Sequence, residues 1–322
     1  MVFEMALHKK KFWNKVSPVL FLLLTGAYWI KTTSSTPYIQ SKSELSTAEL
    51  TNLKEGELSL LTYNIAGLPE VLSAASTPRA SSIKEIAKKI NRFDIVNVQE
   101  DFHYHKELYN SENNHPFRTL HKPGLPYGDG LNTLSKYPIT ETKRIAWNAC
   151  HGSDCLAAKG FSFTRIQLTK NIYVDVYNVH ATARDEKAAA AARQKNIVQL
   201  AEYINMHSAK NAVLVMGDFN AHFAASWDNL QWFTKETQLQ DVWVNMMHNG
   251  EYPDGQPSFT PKEKLTLTDN CESIDKIFFR NSEDIIFLPR QYKIEDQYFS
   301  NTKHTALSDH HAVSCVISWK TR

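Results

Sequence analysis

Six short apolar segments of this chain begin or end at side chains that can do chemistry. Segments rich in Val, Ile, Leu and Phe predict strands, and polar residues follow four of them and precede two more. The residues concerned are Asn64, Glu100, His180, Asp218, Asn220, Asp275, Asp309 and His310. Carboxylate and amide oxygens are ligands for hard divalent cations, and the pKa of histidine lies close to neutral pH. The set predicts a site that binds a cation and transfers a proton.

The arrangement of the strands decides whether these side chains meet. In a mixed sheet, the first residues of an antiparallel strand lie beside the last residues of its neighbour, so the whole set can share one rim. Asp218 and Asn220 are two residues apart in an extended segment and would project to the same side. Each residue alone has an ordinary explanation, because Asn and Asp commonly cap turns at strand ends. Their joint occurrence in one chain favours a site.

The segments that must position this set show both strand and helix patterns. Residues 83–90 and 197–204 have apolar side chains at the i, i+3, i+4, i+7 spacing of an amphipathic helix. The predicted strands are Leu58–Tyr63, Asp94–Val98, Phe161–Leu168, Ile172–Val179, Ala212–Met216, Ile274–Phe279 and Ala312–Trp319. Such a mixture predicts an α/β domain in which helices cover sheets. No second boundary is visible within residues 58–320, so we expect one domain there.

The N-terminal segment predicts export. Several lysines between residues 9 and 15 precede the run Val16–Ile30, which carries no charge. This run is short for a membrane span, which needs about 20 apolar residues, but it fits the basic and apolar regions of a secretory signal. No clear cleavage site follows, so an uncleaved anchor through residues 16–30 is an alternative, and a buried N-terminal helix is a third. We therefore expect a signal peptide or anchor at 1–33, a Ser/Thr-rich linker at 34–57, and a secreted or otherwise extracytoplasmic domain.

Charge and cysteine content constrain the partners and the compartment. With 36 basic and 34 acidic residues, the net charge of +2 gives no argument for a polyanionic partner. Cys150 and Cys155 bracket a short loop that a disulfide could close, and Cys271 with Cys315 is a conceivable second pair. Four cysteines allow three pairings, between which sequence cannot choose. No C-x-x-C spacing indicates a metal site, so at least one disulfide is expected.

The ordered motifs resemble those of the endonuclease/exonuclease/phosphatase superfamily, which includes deoxyribonuclease I, inositol polyphosphate 5-phosphatases and neutral sphingomyelinases. The matching pieces, which span roughly residues 58 to 319, are LTYNIAGLP (61–69), VNVQE (96–100), LSKYPI (134–139), YNVHATA (177–183), VMGDFNAH (215–222), SIDKIFF (273–279) and LSDHHAV (307–313). The resemblance implies a four-layered α/β sandwich of two mixed β-sheets flanked by helices. The Lys-Gly-Phe element at 159–161 and Arg193 are most similar to the bacterial sphingomyelinases.

The resemblance also implies a role for each residue of the set. Glu100 would be the main ligand of Mg²⁺ or another divalent cation, assisted by Asn64. His310 would be the general base, with Asp275 as its partner and Asp309 near the metal. Asp218 and Asn220 would position the water and the phosphate. His180 would donate a hydrogen bond to a phosphate oxygen or a proton to the leaving group, whereas His311 would point away in an extended segment.

The resulting expectation is an exported, metal-dependent phosphodiesterase that acts as a monomer on a phospholipid headgroup, with sphingomyelin as the leading substrate. A lipid headgroup is favoured over nucleic acid because phosphate contacts to DNA need clustered Lys and Arg. The alternatives are a secreted endonuclease of the deoxyribonuclease type, an inositol phosphate phosphatase, and a binding module without activity. Aromatic residues at Trp227, Trp232, Phe233 and Trp243 offer contact with a membrane surface, although such sets more often belong to a helix core.

Overall fold

A computed structural model describes residues 53–124, 127–253 and 269–322. The predicted signal segment 1–33 and the predicted linker up to residue 52 lie outside the described residues. The final residues assigned to the linker are strand instead, because β1 begins at Glu55 and pairs with the end of the chain from its first residue onward. The catalytic domain therefore starts slightly earlier than the sequence suggested.

The first sheet has six strands in the order β11-β12-β1-β2-β4-β3. Its central pair, β1 and β2, is parallel, and every other neighbouring pair is antiparallel. The strands are β1 (Glu55–Asn64), β2 (Ile95–Gln99), β3 (Phe117–Arg118), β4 (Asn132–Ser135), β11 (Ile285–Ile294) and β12 (Val313–Thr321). Parallel pairing in the middle brings the carboxyl ends of β1 and β2 to the same edge.

The second sheet repeats this plan with the order β5-β6-β7-β8-β10-β9. Here β7 and β8 form the parallel pair, and the remaining neighbours are antiparallel. The strands are β5 (Ile139–Ala146), β6 (Gly160–Thr169), β7 (Ile172–His180), β8 (Ala212–Asp218), β9 (Gln240–Asp241) and β10 (Asp275–Arg280). Each sheet is therefore mixed and has one central parallel pair.

Helices cover the outer faces, which gives the four layers that the resemblance implied. The α-helices are α1 (Arg79–Lys89), α2 (His105–Asn110), α3 (Lys187–His207), α4 (Leu230–Thr237) and α5 (Val242–Met247). Ile83 and Ile86 of α1 are fully buried against Leu61 and Tyr63 of β1. The alternate residues of β1, Leu58 and Leu60, join the larger hydrophobic cluster, which also includes residues of the second sheet and of α3. Side chains of opposite faces of one strand thus feed two cores, as strand periodicity requires.

All seven predicted strands and both predicted helices are present in the structure. Five further strands of the described residues were not predicted, because most of them lack the apolar pattern of a strand and β11 interrupts its apolar run with Pro289. Strand β5 reads ITETKRIA and is only partly buried, β11 carries Pro289 at an irregular position, and β4 buries the polar sequence NTLS. Polar strands of this kind are stabilised by their neighbours in the sheet and not by their own composition.

The cysteines and tryptophans resolve two open questions. Cys150 and Cys155 form a disulfide, as expected. The second pair, Cys271–Cys315, is not formed, because Cys315 keeps a buried thiol inside β12. Phe233 and Trp243 belong to the core, while Trp232 is 40% exposed. None of the helices within the described ranges is long and apolar enough to cross a membrane.

Candidate active site

The two parallel strand pairs deliver the predicted residues to one rim of the molecule. In the second sheet, His180 at the end of β7 lies opposite Asp218 at the end of β8. Asp275, the first residue of antiparallel β10, lies opposite Asp218 on its other side. In the first sheet, Asn64 ends β1 beside Gln99, which is followed by Glu100. The arrangement follows from strand direction alone, since antiparallel β10 starts where its neighbour ends.

Close packing between β7 and β8 depends on Gly217. A Cβ atom at this position would collide with the backbone of Val179, including its carbonyl oxygen. A larger residue would force the two strands apart and separate His180 from Asp218. Glycine immediately before Asp218 is thus required by the close backbone approach.

Asn64 joins the two sheets at the centre of the site. Its amide nitrogen lies 3.1 Å from Asp218 Oδ2, 3.3 Å from Glu100 Oε1 and 3.4 Å from His310 Nε2. The amide oxygen accepts a hydrogen bond from the backbone N–H of Ala66 at 3.1 Å. Asn64 therefore directs its amide N–H groups at Asp218 and Glu100, while its amide oxygen accepts from Ala66.

Glu100 and His180 face each other across the junction of the sheets. The Glu100 side chain is 20% exposed, and its Oε1 lies 3.9 Å from His180 Nε2. The His180 ring is nearly inaccessible at 1% exposed, with Nε2 3.4 Å from Asp218 Oδ2 and no partner on buried Nδ1. Burial, aided by the positive charges of Lys159 and His310, holds the pKa of His180 well below its usual value. His180 is thus a neutral imidazole beside two carboxylates.

His310 is oriented by Asp275. Its Nδ1 lies 3.2 Å from Asp275 Oδ2, which turns Nε2 towards Asp218 Oδ2 at 3.8 Å. The loop that carries His310 is fastened to β1, because Ser308 Oγ donates to the Asn64 carbonyl at 2.7 Å. His311 lies on the other side of the segment, where its Nδ1 contacts Asp296 at 2.6 Å.

Asn220 and Asp309 occupy less central positions than the rest of the set. The Asn220 backbone N–H donates to Asp218 Oδ1 at 2.9 Å, and its side-chain nitrogen donates to the Ala181 carbonyl at 3.2 Å. Its backbone has φ of 50°, a conformation that asparagine tolerates better than most residues. Asp309 is exposed at the rim, and its Oδ1 lies 3.4 Å from Ser308 Oγ. Asn220 therefore holds Asp218 through its backbone, and the charge of Asp309 acts on Glu100 and His310.

The buried carboxylates of the site favour the binding of a cation. Burial raises the pKa of Asp218 and, despite nearby Lys159, also that of Glu100. Burial alone would lower the pKa of His310, but the carboxylates of Asp218 and Asp275 raise it to about 10. A general base needs a pKa near the working pH, so the excess negative charge must be compensated before His310 can accept a proton. Clustered carboxylate oxygens fit a divalent cation such as Mg²⁺, and Asp218, Asp275 and His310 also place donor atoms within 4.8 Å of one another.

Lys159 is a site residue to which the sequence analysis gave no chemical role. It is 9% exposed, and its Nζ lies 3.1 Å from Asp154 Oδ2. Its positive charge acts on Glu100, His180 and Asp218. Asp154 also accepts from the Ala183 N–H at 2.7 Å, and the disulfide Cys150–Cys155 closes the loop that contains it. One feature of the sequence could have identified Lys159: it stands among small and apolar residues immediately before a predicted strand. A lysine in such a position is buried, and buried lysines are almost always paired with a charge.

Arg79 is the second residue that sequence reasoning missed. Its side chain is fully buried at 0% exposed and donates to the carbonyls of Ile65 at 2.6 Å, Ala66 at 2.9 Å and Leu307 at 2.9 Å. These carbonyls belong to the segments that follow Asn64 and precede His310. Arg79 therefore ties together two loops of the site. The sequence of α1 does not distinguish Arg79 from other helical residues, because arginine is common in helices.

We expect Arg79→Met to destabilise the fold by about 3 kcal/mol or more, because it leaves several buried carbonyls without donors at about 1–3 kcal/mol each. Urea unfolding measures the loss. Ser81→Ala, an exposed change on the same helix, should leave the free energy of unfolding unchanged. Equal stability of the two variants would contradict the role given to Arg79.

Comparison with known proteins places this arrangement in a family. The model of endonuclease/exonuclease/phosphatase family 2 matches residues 33–316, which includes every residue of the site. The chain belongs to this family.

Similar curated proteins and solved structures agree with this assignment. The sphingomyelinase of Mycobacterium tuberculosis strain H37Rv is 37% identical over 267 residues, which is 81% of this chain and 52% of that protein. A putative neutral sphingomyelinase of Drosophila melanogaster is 27% identical over 278 residues, 80% of this chain and 60% of that protein. The chain thus spans about half the length of the mycobacterial relative.

The solved structures support the fold. A mutant beta toxin from Staphylococcus aureus with bound magnesium ions has a TM-score of 0.57 and 16% identity, covering 81% of this chain and 99% of the toxin. Sphingomyelinase C from Streptomyces griseocarneus has a TM-score of 0.54 and 17% identity, covering 82% of this chain and 99% of that enzyme. At these identities the likeness confirms the four-layered architecture.

Proposed function

We propose that this chain is an exported, divalent-metal-dependent phosphodiesterase that hydrolyses a phospholipid headgroup, with sphingomyelin as the leading substrate. The observation that carries the proposal is the convergence of Glu100, Asp218 and His310, from three separate parts of the chain, around the amide nitrogen of Asn64. The sphingomyelinase names of its curated relatives support the choice of substrate. The basic and apolar N-terminal segment and the disulfide support export.

Glu100 and Asp218 are the residues that would hold the cation, most simply Mg²⁺. When bound there, the cation supplies Lewis acidity to a phosphoryl oxygen and compensates the buried carboxylates. Asn64 directs its amide N–H groups at the same point, so it would hold either these carboxylates or a phosphate oxygen. Asp309, exposed at the entrance, adds negative charge on the side from which a cation arrives.

His310 takes the proton of the attacking water through Nε2, while Asp275 holds Nδ1. The water oxygen forms the new bond to phosphorus as the bond from phosphorus to the lipid oxygen breaks. In sphingomyelin this step gives phosphocholine and ceramide, whose departing oxygen takes up a proton from solvent water, while His310 returns to solvent the proton that it accepted. His180, a neutral imidazole with Nε2 facing the site, would donate a hydrogen bond to a phosphate oxygen or to this leaving oxygen. Asn220 keeps Asp218 in place through its backbone N–H.

A substrate panel tests the proposal. The purified chain would be given vesicles of sphingomyelin, vesicles of phosphatidylcholine, plasmid DNA and inositol phosphates, each with Mg²⁺ and with EDTA. We expect phosphocholine release from sphingomyelin in Mg²⁺ and none in EDTA. Cleavage of plasmid DNA without phosphocholine release would establish a nuclease instead, and turnover undiminished in EDTA would contradict the role of the cation.

A further inference from the structure

A second cluster of metal-binding side chains lies beside the active site but uses different residues. Asp101, His105 and His121 place ligand atoms within 4.8 Å of one another. Asp101 follows Glu100 in the chain, His105 begins helix α2, and His121 lies beyond β3. None of the three has a part in the hydrolytic mechanism proposed above.

Asp101 is a fully buried carboxylate of which only one oxygen has hydrogen-bond partners. Its Oδ2 accepts from Asn132 Nδ2 at 2.7 Å and lies 2.6 Å from His105 Nδ1. Its Oδ1 is buried and has no hydrogen-bond partner. A buried charged oxygen without a partner is costly and uncommon in folded proteins. The position is therefore suited to an additional positive group.

His121 presents a second unpartnered atom in the same place. Its Nδ1 is buried without a partner, and its ring stacks on that of His105 with centroids 4.3 Å apart. The His105 side chain is 25% exposed, so the cluster opens to solvent and a cation has a path of entry. An ion pair between His105 and Asp101 alone would explain their short contact but would leave both Asp101 Oδ1 and His121 Nδ1 unsatisfied.

The nearby basic side chains compensate another carboxylate, that of Asp129, and not Asp101. Arg144 donates to Asp129 at 2.6 Å and to Asn132 Oδ1 at 2.8 Å, so its contacts compensate Asp129. Lys122 is directed at the same aspartate, at 4.0 Å. Arg144 and Lys122 thus face Asp129, and His105 reaches Asp101 Oδ2 through Nδ1 at 2.6 Å.

We propose that Asp101, His105 and His121 form a Zn²⁺ site. Two imidazoles and one carboxylate are a donor set for zinc, which binds nitrogen ligands readily and completes its coordination with water. Mg²⁺ prefers sites made only of oxygen ligands, so this cluster is chemically distinct from the catalytic centre. The backbone N–H of Asp101 donates to the Gly130 carbonyl, and the preceding residue, Glu100, has φ of 59°. A cation at Asp101 would therefore hold the turn that positions Glu100 and fasten it to helix α2.

The experiment counts zinc ions. The metal-free chain is equilibrated with Zn²⁺ in excess Mg²⁺, freed of unbound metal, and analysed by mass spectrometry of the metal. His121→Ala removes one ligand, while His103→Ala removes an exposed histidine of the same loop and is the matched control. We expect the wild type and His103→Ala to retain one more equivalent of zinc than His121→Ala, and zinc to raise their melting temperature more. Equal zinc content in all three proteins would overturn the proposal.

A second measurement needs no substitution and so does not depend on the variant folding. Diethyl pyrocarbonate modifies accessible imidazoles, and the modified positions of the wild-type chain can be located by peptide mass spectrometry. We expect Zn²⁺ to protect His105 and His121 while exposed His151 and His304 react as before. Unchanged modification of His105 and His121 in zinc would contradict the site, whatever the activity of the enzyme.

Discussion

Replacing His310 by alanine is expected to lower kcat by about 10²–10⁴-fold, the usual contribution of a general base. Asp275 holds Nδ1 of this ring at 3.2 Å, and Nε2 faces Asn64 and Asp218 at the centre of the site. The ring is therefore fixed in the orientation in which Nε2 can accept a proton from a water in the pocket. Steady-state hydrolysis of sphingomyelin in saturating Mg²⁺ measures the loss.

His311→Ala is the matched control for this change. His311 is the next residue in the chain, but its ring is 39% exposed and contacts Asp296, away from the pocket. We expect this variant to keep the wild-type kcat. If His310→Ala folds normally, as judged by circular dichroism, and still turns over at the wild-type rate, His310 is not the base.

Glu100→Gln is expected to remove metal-dependent activity. The substitution preserves the size of the side chain but removes the negative charge that attracts the cation. Lewis-acid stabilisation of several kcal/mol corresponds to on the order of 10³-fold in rate, and higher Mg²⁺ should recover only a part of this. A titration of activity against Mg²⁺, together with calorimetric measurement of Mg²⁺ binding, separates weaker binding from slower chemistry.

Glu57→Gln is the control for Glu100. Glu57 is exposed and lies near the start of β1, at the opposite end of this strand from Asn64, so its loss should change neither Mg²⁺ affinity nor kcat. Mg²⁺ binding by Glu100→Gln that matches the wild type would show that the cation is held elsewhere.

Much of the site could be predicted from sequence because the residues at which apolar strands end can be recognised in it. Apolar strands are marked by their composition, and the residue at which each one ends is placed by the sheet. Strand ends predict one rim for Asn64, Glu100, His180, Asp218, Asp275 and His310, and in the structure these side chains lie within contact distance of one another. Their chemical roles stay predictions, which the substitutions above address.

What the sequence did not reveal depends on packing between distant segments. The assistance that Asn64 was expected to give the metal stays a prediction, and no pattern along the chain encodes the hydrogen bond that its oxygen accepts from the Ala66 N–H. Neither the burial of Arg79 nor a chemical role for Lys159 was predicted from the sequence, because the carbonyls and the carboxylate that receive them belong to other segments. The possible pair Cys271–Cys315 is not formed, and Cys315 is a buried thiol in β12.

Phosphocholine release from sphingomyelin vesicles tests the central claim most directly. The wild-type chain is compared with Glu100→Gln and His310→Ala, each in Mg²⁺ and in EDTA, in water enriched in oxygen-18. We expect release by the wild type in Mg²⁺ alone, with the heavy oxygen in the phosphocholine and near-total loss in both variants. Release that survives EDTA and both substitutions, or heavy oxygen found in ceramide instead, would contradict metal-assisted attack of water on phosphorus.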